Sequence, residues 1–180
     1  MFPILETERI VLRELVVDDA LVILNCFSND EVLRYYGQRP LKSIEQVKQI
    51  IISFSKSFEE KSGIKWGIEL KETGTIIGTI GFQDWSHEHK RANISYALFP
   101  DNWGRGYASE AIEKVISWGF QELGLERIGA IVFIENEASN NLLIKTGFQK
   151  EGILKHYMYQ NGVAHDTNVF SLLKVNIAIE

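Results

Sequence analysis

The stretch from residue 92 to residue 134 constrains the fold more than any other part of this 180-residue chain. Its first eight residues alternate like a strand, with four side chains on one face: Ala92, Ile94, Tyr96 and Leu98. An amphipathic helix is predicted over residues 106–122, and the nearly continuous apolar run 128–134 follows it. Such a run is typical of a strand covered on both faces, as in parallel pairing after a helical crossover. The stretch therefore predicts one strand–helix–strand crossover at the centre of the chain.

The flanking segments predict strands that are mostly antiparallel. Upstream, the pattern indicates a strand at 9–13, short helices at about 18–27 and 29–36, and a longer helix that the capping box Ser43-Ile44-Glu45-Gln46 opens. Strands at 66–71 and 76–82 precede a polar loop, predicted over 84–90. Downstream, a short helix at 137–146 is followed by a hairpin around Asn161-Gly162. The chain thus reads as α+β, a single domain over 1–180 with a mixed, mostly antiparallel central sheet and flanking helices.

Composition excludes several classes of function. Nineteen Lys and Arg against 24 Asp and Glu give a net charge of −5, which argues against duplex nucleic acid as a partner. No run approaches the ~20 apolar residues of a membrane span. The single cysteine, Cys26, lies in an apolar helical run and suits a reducing compartment. Since acidic and basic residues follow the N-terminus almost at once, no signal peptide is expected. A cytoplasmic protein without membrane or nucleic-acid partners is therefore predicted.

A glycine-containing turn between the central strand and its helix carries the strongest chemical signal. In Pro100-Asp101-Asn102-Trp103-Gly104-Arg105-Gly106-Tyr107-Ala108-Ser109-Glu110-Ala111, a strand ends, a Gly-x-Gly turn follows and a helix begins. The first turn of a helix offers free N–H groups and partial positive charge, and glycines allow close backbone approach. Together they favour a phosphate or pyrophosphate cradle. The plain alternative is a glycine turn with a solvated Arg105. The third glycine of a dinucleotide fingerprint and the Gly-Lys-Ser/Thr of a P-loop are both missing.

The context of the two glycines is more specific than the glycines themselves. The segment Trp103–Ala111 closely resembles the acetyl-CoA pyrophosphate loop of the GNAT superfamily of N-acetyltransferases. Asn136-Glu137-Ala138-Ser139-Asn140, followed by Leu142–Phe148, resembles the second signature of that family. Three further segments are similar to the RimJ/RimL branch of ribosomal-protein N-terminal acetyltransferases: Trp66–Ile68, Ile77–Gly81 and Glu151–Lys155. The resemblance extends from about residue 7 to about residue 173.

The resemblance implies a fold, a cosubstrate and a reaction. The fourth and fifth predicted strands, at 92–99 and 128–134, would splay into a V that admits the pantetheine arm of acetyl-CoA. An acetyl group would pass to a primary amine, either a protein N-terminus or a small amine, by direct attack in a ternary complex without a metal. A homodimer is also an expectation. The residues implied in binding coenzyme A are Leu98, Phe99, Trp103, Gly104, Arg105, Gly106, Tyr107, Ala108, Ser109, Asn136, Ser139, Asn140 and Lys145.

Ser139 is the implied catalytic residue, a general acid for the leaving thiolate. The family places this serine near the sulfur and the asparagine on the pantetheine amides. The local alternative makes Asn136 a helix N-cap and Ser139 an ordinary first-turn residue. Both interpretations fit the spacing.

The chain departs from the family pattern at three chemically important positions. Leu143 stands where many members carry a tyrosine that acts as general acid, so a tyrosine mechanism at that position is not expected. Asn93 and Met158 stand where the RimJ/RimL branch carries carboxylates. The candidates left for the base are His87, Glu88, His89, His156 and Asp84, or a water chain to bulk solvent. Aromatic residues that would line the acceptor pocket, or simply pack, are Tyr35, Tyr36, Trp85 and Tyr157.

Two other functions compete with the acetyltransferase interpretation. The missing tyrosine and carboxylates favour an acyl-CoA-binding or sensing module with reduced catalysis. A nucleotide-binding domain that uses the same Gly-x-Gly loop is the third hypothesis.

Overall fold

A computed structural model describes residues 1–177, so the predicted domain 1–180 ends three residues beyond the described part of the chain. In this described part of the chain, five α-helices flank one eight-stranded sheet. The helices are α1 (Ala20–Phe27), α2 (Asp30–Leu33), α3 (Ile44–Glu59), α4 (Tyr107–Gln121) and α5 (Glu137–Lys145). The strands are β1 (Leu5–Glu6), β2 (Ile10–Glu14), β3 (Ile64–Leu70), β4 (Ile76–Ser86), β5 (Arg91–Leu98), β6 (Arg127–Phe133), β7 (Gln149–Gln160) and β8 (Val163–Leu173).

The sheet has the order β1-β2-β3-β4-β5-β6-β8-β7 and is antiparallel at every junction except one. The exception is β5–β6, the pair joined by α4, where the strands run parallel. The α+β class and the mixed, mostly antiparallel sheet are thereby confirmed. The hairpin at Asn161-Gly162 is also confirmed, because these two residues connect β7 to β8.

The parallel pair is short, and this produces the splayed V. Pairing between β5 and β6 covers Arg91 with Arg127, Ala92 with Ile128 and Asn93 with Gly129, and then stops. Beyond these pairs the two strands separate. Because the two-residue β1 precedes the first predicted strand, the fourth and fifth predicted strands are β5 and β6, and the predicted V lies between them.

The two faces of the sheet pack against different helices. One face packs on α4, whose buried stripe comprises Ala111, Ile112, Val115, Ile116 and Phe120. The other face packs on α1 and α3, through residues that include Ile23, Val47 and Ile51. Each fully buried aliphatic side chain contributes about 1.5–3 kcal/mol relative to an exposed one. This burial fixes the sheet, and therefore the separation of β5 from β6.

Three local predictions needed correction. The predicted loop 84–90 is shorter, because β4 continues to Ser86 through a bulge in its pairing with β5. The second helix ends at Leu33 rather than near residue 36. The capping box is half formed: Ser43 Oγ accepts from Gln46 N, whereas Gln46 Oε1 accepts from Lys42 N instead of the N-cap amide.

Candidate functional site

A cavity of about 980 Å³ opens where β5 and β6 separate. Its walls combine β5 and β6 with the Gly-x-Gly turn, the first turns of α4 and α5, and the segment that follows α2. Ten of the sequence-predicted cofactor residues line it: Leu98, Trp103, Gly104, Gly106, Tyr107, Ala108, Ser109, Asn136, Ser139 and Lys145. Segments far apart in the sequence therefore meet around one space, as the resemblance implies.

The Gly-x-Gly turn presents backbone to the cavity. Gly104 and Gly106 have φ of 71° and 83°, a left-handed conformation that side-chain-bearing residues rarely adopt. A Cβ atom on Gly104 would have no heavy atom within 4 Å, so the space before it is open. Gly106 is the N-cap of α4, and no side chain from residues 1–177 caps this helix. Free N–H groups at an uncapped helix start suit an anion, which is the condition that a pyrophosphate needs.

Arg9, which sequence reasoning missed, braces this turn from outside the cavity. Its Nη1 donates to the carbonyl oxygen of Arg105 at 2.9 Å, and its Nη2 lies 2.6 Å from Glu110 Oε2. The guanidinium also lies 4.6 Å from the centre of the Tyr107 ring. Burial would raise the pKa of Glu110, but hydrogen bonds from Thr7 and Arg9 outweigh it and lower that pKa. The turn is therefore held in place before any ligand arrives.

Main-chain groups of β5 face the open V. Phe99 N donates to Ile77 O at 2.8 Å, so the Phe99 amide faces β4. Because neighbouring residues of a strand point their amides to opposite edges, Leu98 presents its main chain to the separated β6 side. There the Leu98 carbonyl accepts from Trp103 Nε1 at 2.8 Å. Leu98 thus lines the cavity as predicted, whereas Phe99 does not.

Helix α5 supplies the polar groups of the opposite wall. The Asn136 side chain caps the helix by accepting from Ser139 N at 3.2 Å, so its capping role is real, and the residue also lines the cavity. Ser139 Oγ lies 2.7 Å from the hydroxyl of Tyr96 on β5. Burial raises the pKa of Tyr96 to about 12, partly offset by the hydrogen bond to Ser139. Sequence reasoning missed Tyr96, whose alternation with Ile94 and Leu98 made it look like an ordinary strand residue.

Two further predicted cofactor residues lie outside the cavity walls. Asn140 is buried, and its Nδ2 donates to Asn136 O at 2.7 Å and to Phe133 O at 3.0 Å. Its Oδ1 accepts from Asn168 Nδ2 at 2.6 Å, so the side chain joins β8 and β6 to α5. Arg105 is exposed and contributes its carbonyl to Arg9. The Asn140 side chain thus supports the wall from behind, and the Arg105 main chain helps to anchor the turn.

Aromatic side chains line the cavity on the side of α2 and β7. Tyr35, Tyr36 and Tyr157 are part of the wall, whereas Trp85 packs against the core. Gln160 ties β7 to the chain after α2, since its Nε2 donates to Leu33 O at 2.8 Å and its Oε1 accepts from Gly37 N at 3.1 Å. We call the region of Tyr35, Tyr36 and Tyr157 the aromatic end of the cavity.

Of the candidate bases, the structure brings one to the cavity. Asp84 lines the wall and accepts from Asn93 Nδ2 at 3.0 Å. His87 instead lies over Trp85, with ring centres 4.2 Å apart, and Glu88, His89 and His156 are exposed outside the wall. Leu143, at the position of the family tyrosine, is fully buried in the core. The acid and base positions of the family are thus both filled differently here.

Within residues 1–177, no group of three or more His, Cys, Asp or Glu side chains is placed to hold a metal ion. None of the helices in the described part of the chain is long and apolar enough to cross a membrane.

Comparison with known proteins decides the family. Residues 9–149 match the model of the acetyltransferase (GNAT) domain. An uncharacterized N-acetyltransferase of Bacillus subtilis strain 168, YoaA, is 56% identical over 174 residues, which cover 97% of this chain and 98% of that protein. The chain belongs to the GNAT family of acetyltransferases. It is an acetyl-CoA-dependent N-acetyltransferase of the GNAT type.

Solved structures of GNAT enzymes share the fold over nearly the whole chain. RimL, a ribosomal alpha-N-protein acetyltransferase in complex with coenzyme A, superposes with a TM-score of 0.88 at 19% identity, covering 95% of this chain and 98% of that one. Spermidine N-acetyltransferase from Vibrio cholerae, in complex with CoA and spermine, gives 0.83 at 23% identity, covering 93% and 96%. The RimJ/RimL-like branch is consistent with a sequence relative, a putative ribosomal N-acetyltransferase of Bacillus subtilis strain 168, YdaF, which is 28% identical over 179 residues, covering 97% of this chain and 96% of that protein.

Proposed function

We propose that this GNAT enzyme acetylates a primary amine that enters the cavity from its aromatic end and attacks directly in a ternary complex. One observation carries the proposal: a single cavity runs from the Gly-x-Gly turn, through the V, to Tyr35, Tyr36 and Tyr157. Such a cavity holds both reactants at once, and the alignment of two reactants removes much of the entropic barrier to their reaction.

The cosubstrate would be held mainly by backbone. The N–H groups from Gly104 to Ser109 would bind the pyrophosphate, with Arg9 holding that segment rigid. The main-chain edge of β5 that faces the V would pair with the pantetheine arm, in the manner of strand addition, although Trp103 Nε1 already occupies the Leu98 carbonyl. When bound, acetyl-CoA supplies an acetyl group already activated as a thioester.

The Tyr96–Ser139 pair would donate the proton that the departing sulfur needs. Both residues line the V, and their hydroxyl oxygens lie 2.7 Å apart. Because burial raises the pKa of Tyr96 to about 12, its phenol keeps its proton throughout the physiological range. Ser139 would give its proton to sulfur and recover one from Tyr96, and Tyr96 would be reprotonated from solvent in the open cavity, which also takes up the proton that nitrogen loses as the amide forms. The pair thus replaces the tyrosine that is absent at Leu143.

Acceptor classes are compared by their turnover. CoA release would be measured with acetyl-CoA and either spermidine or a short peptide with a free N-terminal serine or alanine. Spermidine N-acetyltransferase suggests the polyamine, and solved ribosomal-protein-serine and ribosomal-protein-S5-alanine acetyltransferases suggest the peptides. We expect turnover with at least one. Tight CoA binding by calorimetry, with no CoA release above background for either amine, would refute acetyl transfer to these classes and favour the sensing module.

The Tyr96–Ser139 pair has its own test, a double-mutant cycle. Tyr96→Phe and Ser139→Ala should each lower kcat about 10²-fold, the lower range for a general acid, with little change in CoA affinity. The double variant should lose little more than either single one, because the two hydroxyls act as a unit. Additive losses would show that they act separately.

A further inference from the structure

Asp84 lies at a bulge that turns its carboxylate towards Asn93. Pairing of β4 with β5 shifts register between Gln83 and Ser86, and Asp84 has φ of 52°. Phe82, two residues earlier, points towards α4, where its ring lies close to Gly119. Regular alternation would send Asp84 to that same face. The bulge redirects it, and its Oδ2 accepts instead from Asn93 Nδ2.

Asn93 marks the floor of the V. It forms the last pair between β5 and β6, opposite Gly129, and the strands separate immediately beyond it. A Cβ atom on Gly129 would lie 2.4 Å from Asn93 Oδ1, so the absence of a side chain there is what leaves room for this amide. Asn93 shares a strand face with Ser95 and Ala97, the face that packs on α1 and α3. The Asp84 carboxylate is thus held at the base of the V on that face.

We propose that Asp84 is the catalytic carboxylate that binds the ammonium group of the acceptor and takes its proton. This inference rests on the proposed function and deepens it. The carboxylate lines the cavity, and one of its oxygens is engaged by Asn93, which fixes the orientation of the other. Aspartate tolerates positive φ better than most residues, so the bulge can turn this side chain without large strain. The carboxylate missing at position 93 is therefore supplied from the neighbouring strand.

The proton balance is simple. The acceptor enters as an ammonium ion, transfers one proton to Asp84, and becomes the neutral amine that can form the new C–N bond. The Asp84 carboxyl then returns the proton to solvent through the open cavity. Other charged side chains of the same wall are Glu31, Arg34 and Lys145.

The test uses the isosteric variant Asp84→Asn. Asparagine tolerates positive φ and can still accept from Asn93, so the bulge should persist. Binding of spermidine, and of a peptide with a free N-terminal serine, to the enzyme–CoA complex would be measured by calorimetry. For at least one amine we expect a loss of affinity of about tenfold or more, with unchanged CoA affinity, since a charge-assisted hydrogen bond is removed. Glu88→Gln, in the turn after β4, is the matched control and should change neither.

A charge swap separates the carboxylate from the shape of the site. In the double variant Asp84→Asn/Asn93→Asp the carboxylate moves to β5 and the side-chain pair keeps one acceptor and one amide. It should recover most of the lost affinity and of kcat/KM. The assignment is overturned if the Asp84→Asn variant binds both amines as tightly as wild type does. It is also overturned if neither protein binds either amine. If the double variant folds but recovers neither amine affinity nor kcat/KM, this also argues against a role for the carboxylate charge. Failure of wild type to turn over an amine that it binds would instead contradict the proposed function.

Discussion

Replacing Gly104 by alanine separates two roles that a glycine can have in the turn before α4. Gly104 and Gly124 both adopt positive φ, 71° and 64°, and at both sites an added Cβ has no heavy atom within 4 Å. Alanine should therefore destabilise the fold equally at either position, by about 1–2 kcal/mol, because only the backbone conformation is penalised. For a chain of this size the melting temperature should fall by about 2–8 °C in both variants.

Only one of the two variants should affect ligand binding. Gly104 lines the cavity, whereas Gly124 lies beyond the other end of α4. A methyl group on Gly104 occupies the space through which the pyrophosphate would approach the turn. Loss of one hydrogen bond to a charged group corresponds to about 1.5–3 kcal/mol, or roughly 10- to 150-fold in Kd. Gly124→Ala should leave the Kd for CoA unchanged.

The assay is calorimetric titration of CoA into both variants, alongside their thermal unfolding. Equal melting temperatures with unequal affinities would locate the anion at the Gly104 backbone. If Gly104→Ala binds CoA as tightly as Gly124→Ala does, the turn is not the pyrophosphate site and the reasoning fails.

Three further changes test the parts that support the site. Gly106→Val should weaken CoA binding beyond the Gly104→Ala effect and also lower stability, because the added Cβ would lie 3.3 Å from Arg9 Nη2; unchanged affinity in titration would contradict this. Arg9→Ala should raise the KM for acetyl-CoA several-fold with little change in the KM for the amine, since it frees the turn; an equal rise in both would argue against it. Burial lowers the pKa of Lys65 from 10.5 to about 8. Between these two pH values the unfolded chain binds more protons than the folded one, so the contribution of Lys65 to the free energy of unfolding rises with pH. Between pH 7 and 10, the free energy of unfolding of wild type, measured with urea, should rise by up to about 3 kcal/mol relative to that of Lys65→Met. Parallel curves of unfolding free energy against pH for the two proteins would refute this.

The central crossover and the Gly-x-Gly turn could be predicted from the sequence because their signals are local. An alternating strand, a glycine turn, an amphipathic helix and an apolar strand follow one another within about 45 residues, and each determines its neighbour's position. The hairpin at Asn161-Gly162 is equally local. Phe99 shows where such reasoning ends, because the edge that its amide faces depends on the register with Ile77, which no pattern in β5 reveals.

The supporting residues could not be predicted because they act across long separations. Arg9 reaches a turn almost a hundred residues away, and Tyr96 meets Ser139 across 43 residues. Asn140 carried a family signal for cofactor binding, yet its amide bonds to the backbone behind the wall and to Asn168. In each case the side chain's role follows from which strands adjoin, and not from its own neighbours in the sequence.

If the proposals above hold, departures of this chain from the family pattern are compensated nearby in space and not at the same positions. For the tyrosine missing at Leu143 on α5, the proposed substitute is Tyr96 on β5, whose hydroxyl lies 2.7 Å from Ser139 Oγ. The carboxylate missing at Asn93 is matched by Asp84, which a bulge brings to that asparagine. A hydroxyl or carboxyl group transfers a proton through one oxygen atom. Any strand or helix that places this oxygen correctly can therefore provide the group. The aligned positions alone therefore suggest lost catalysis, whereas the two proposals above give this chain both an acid and a base.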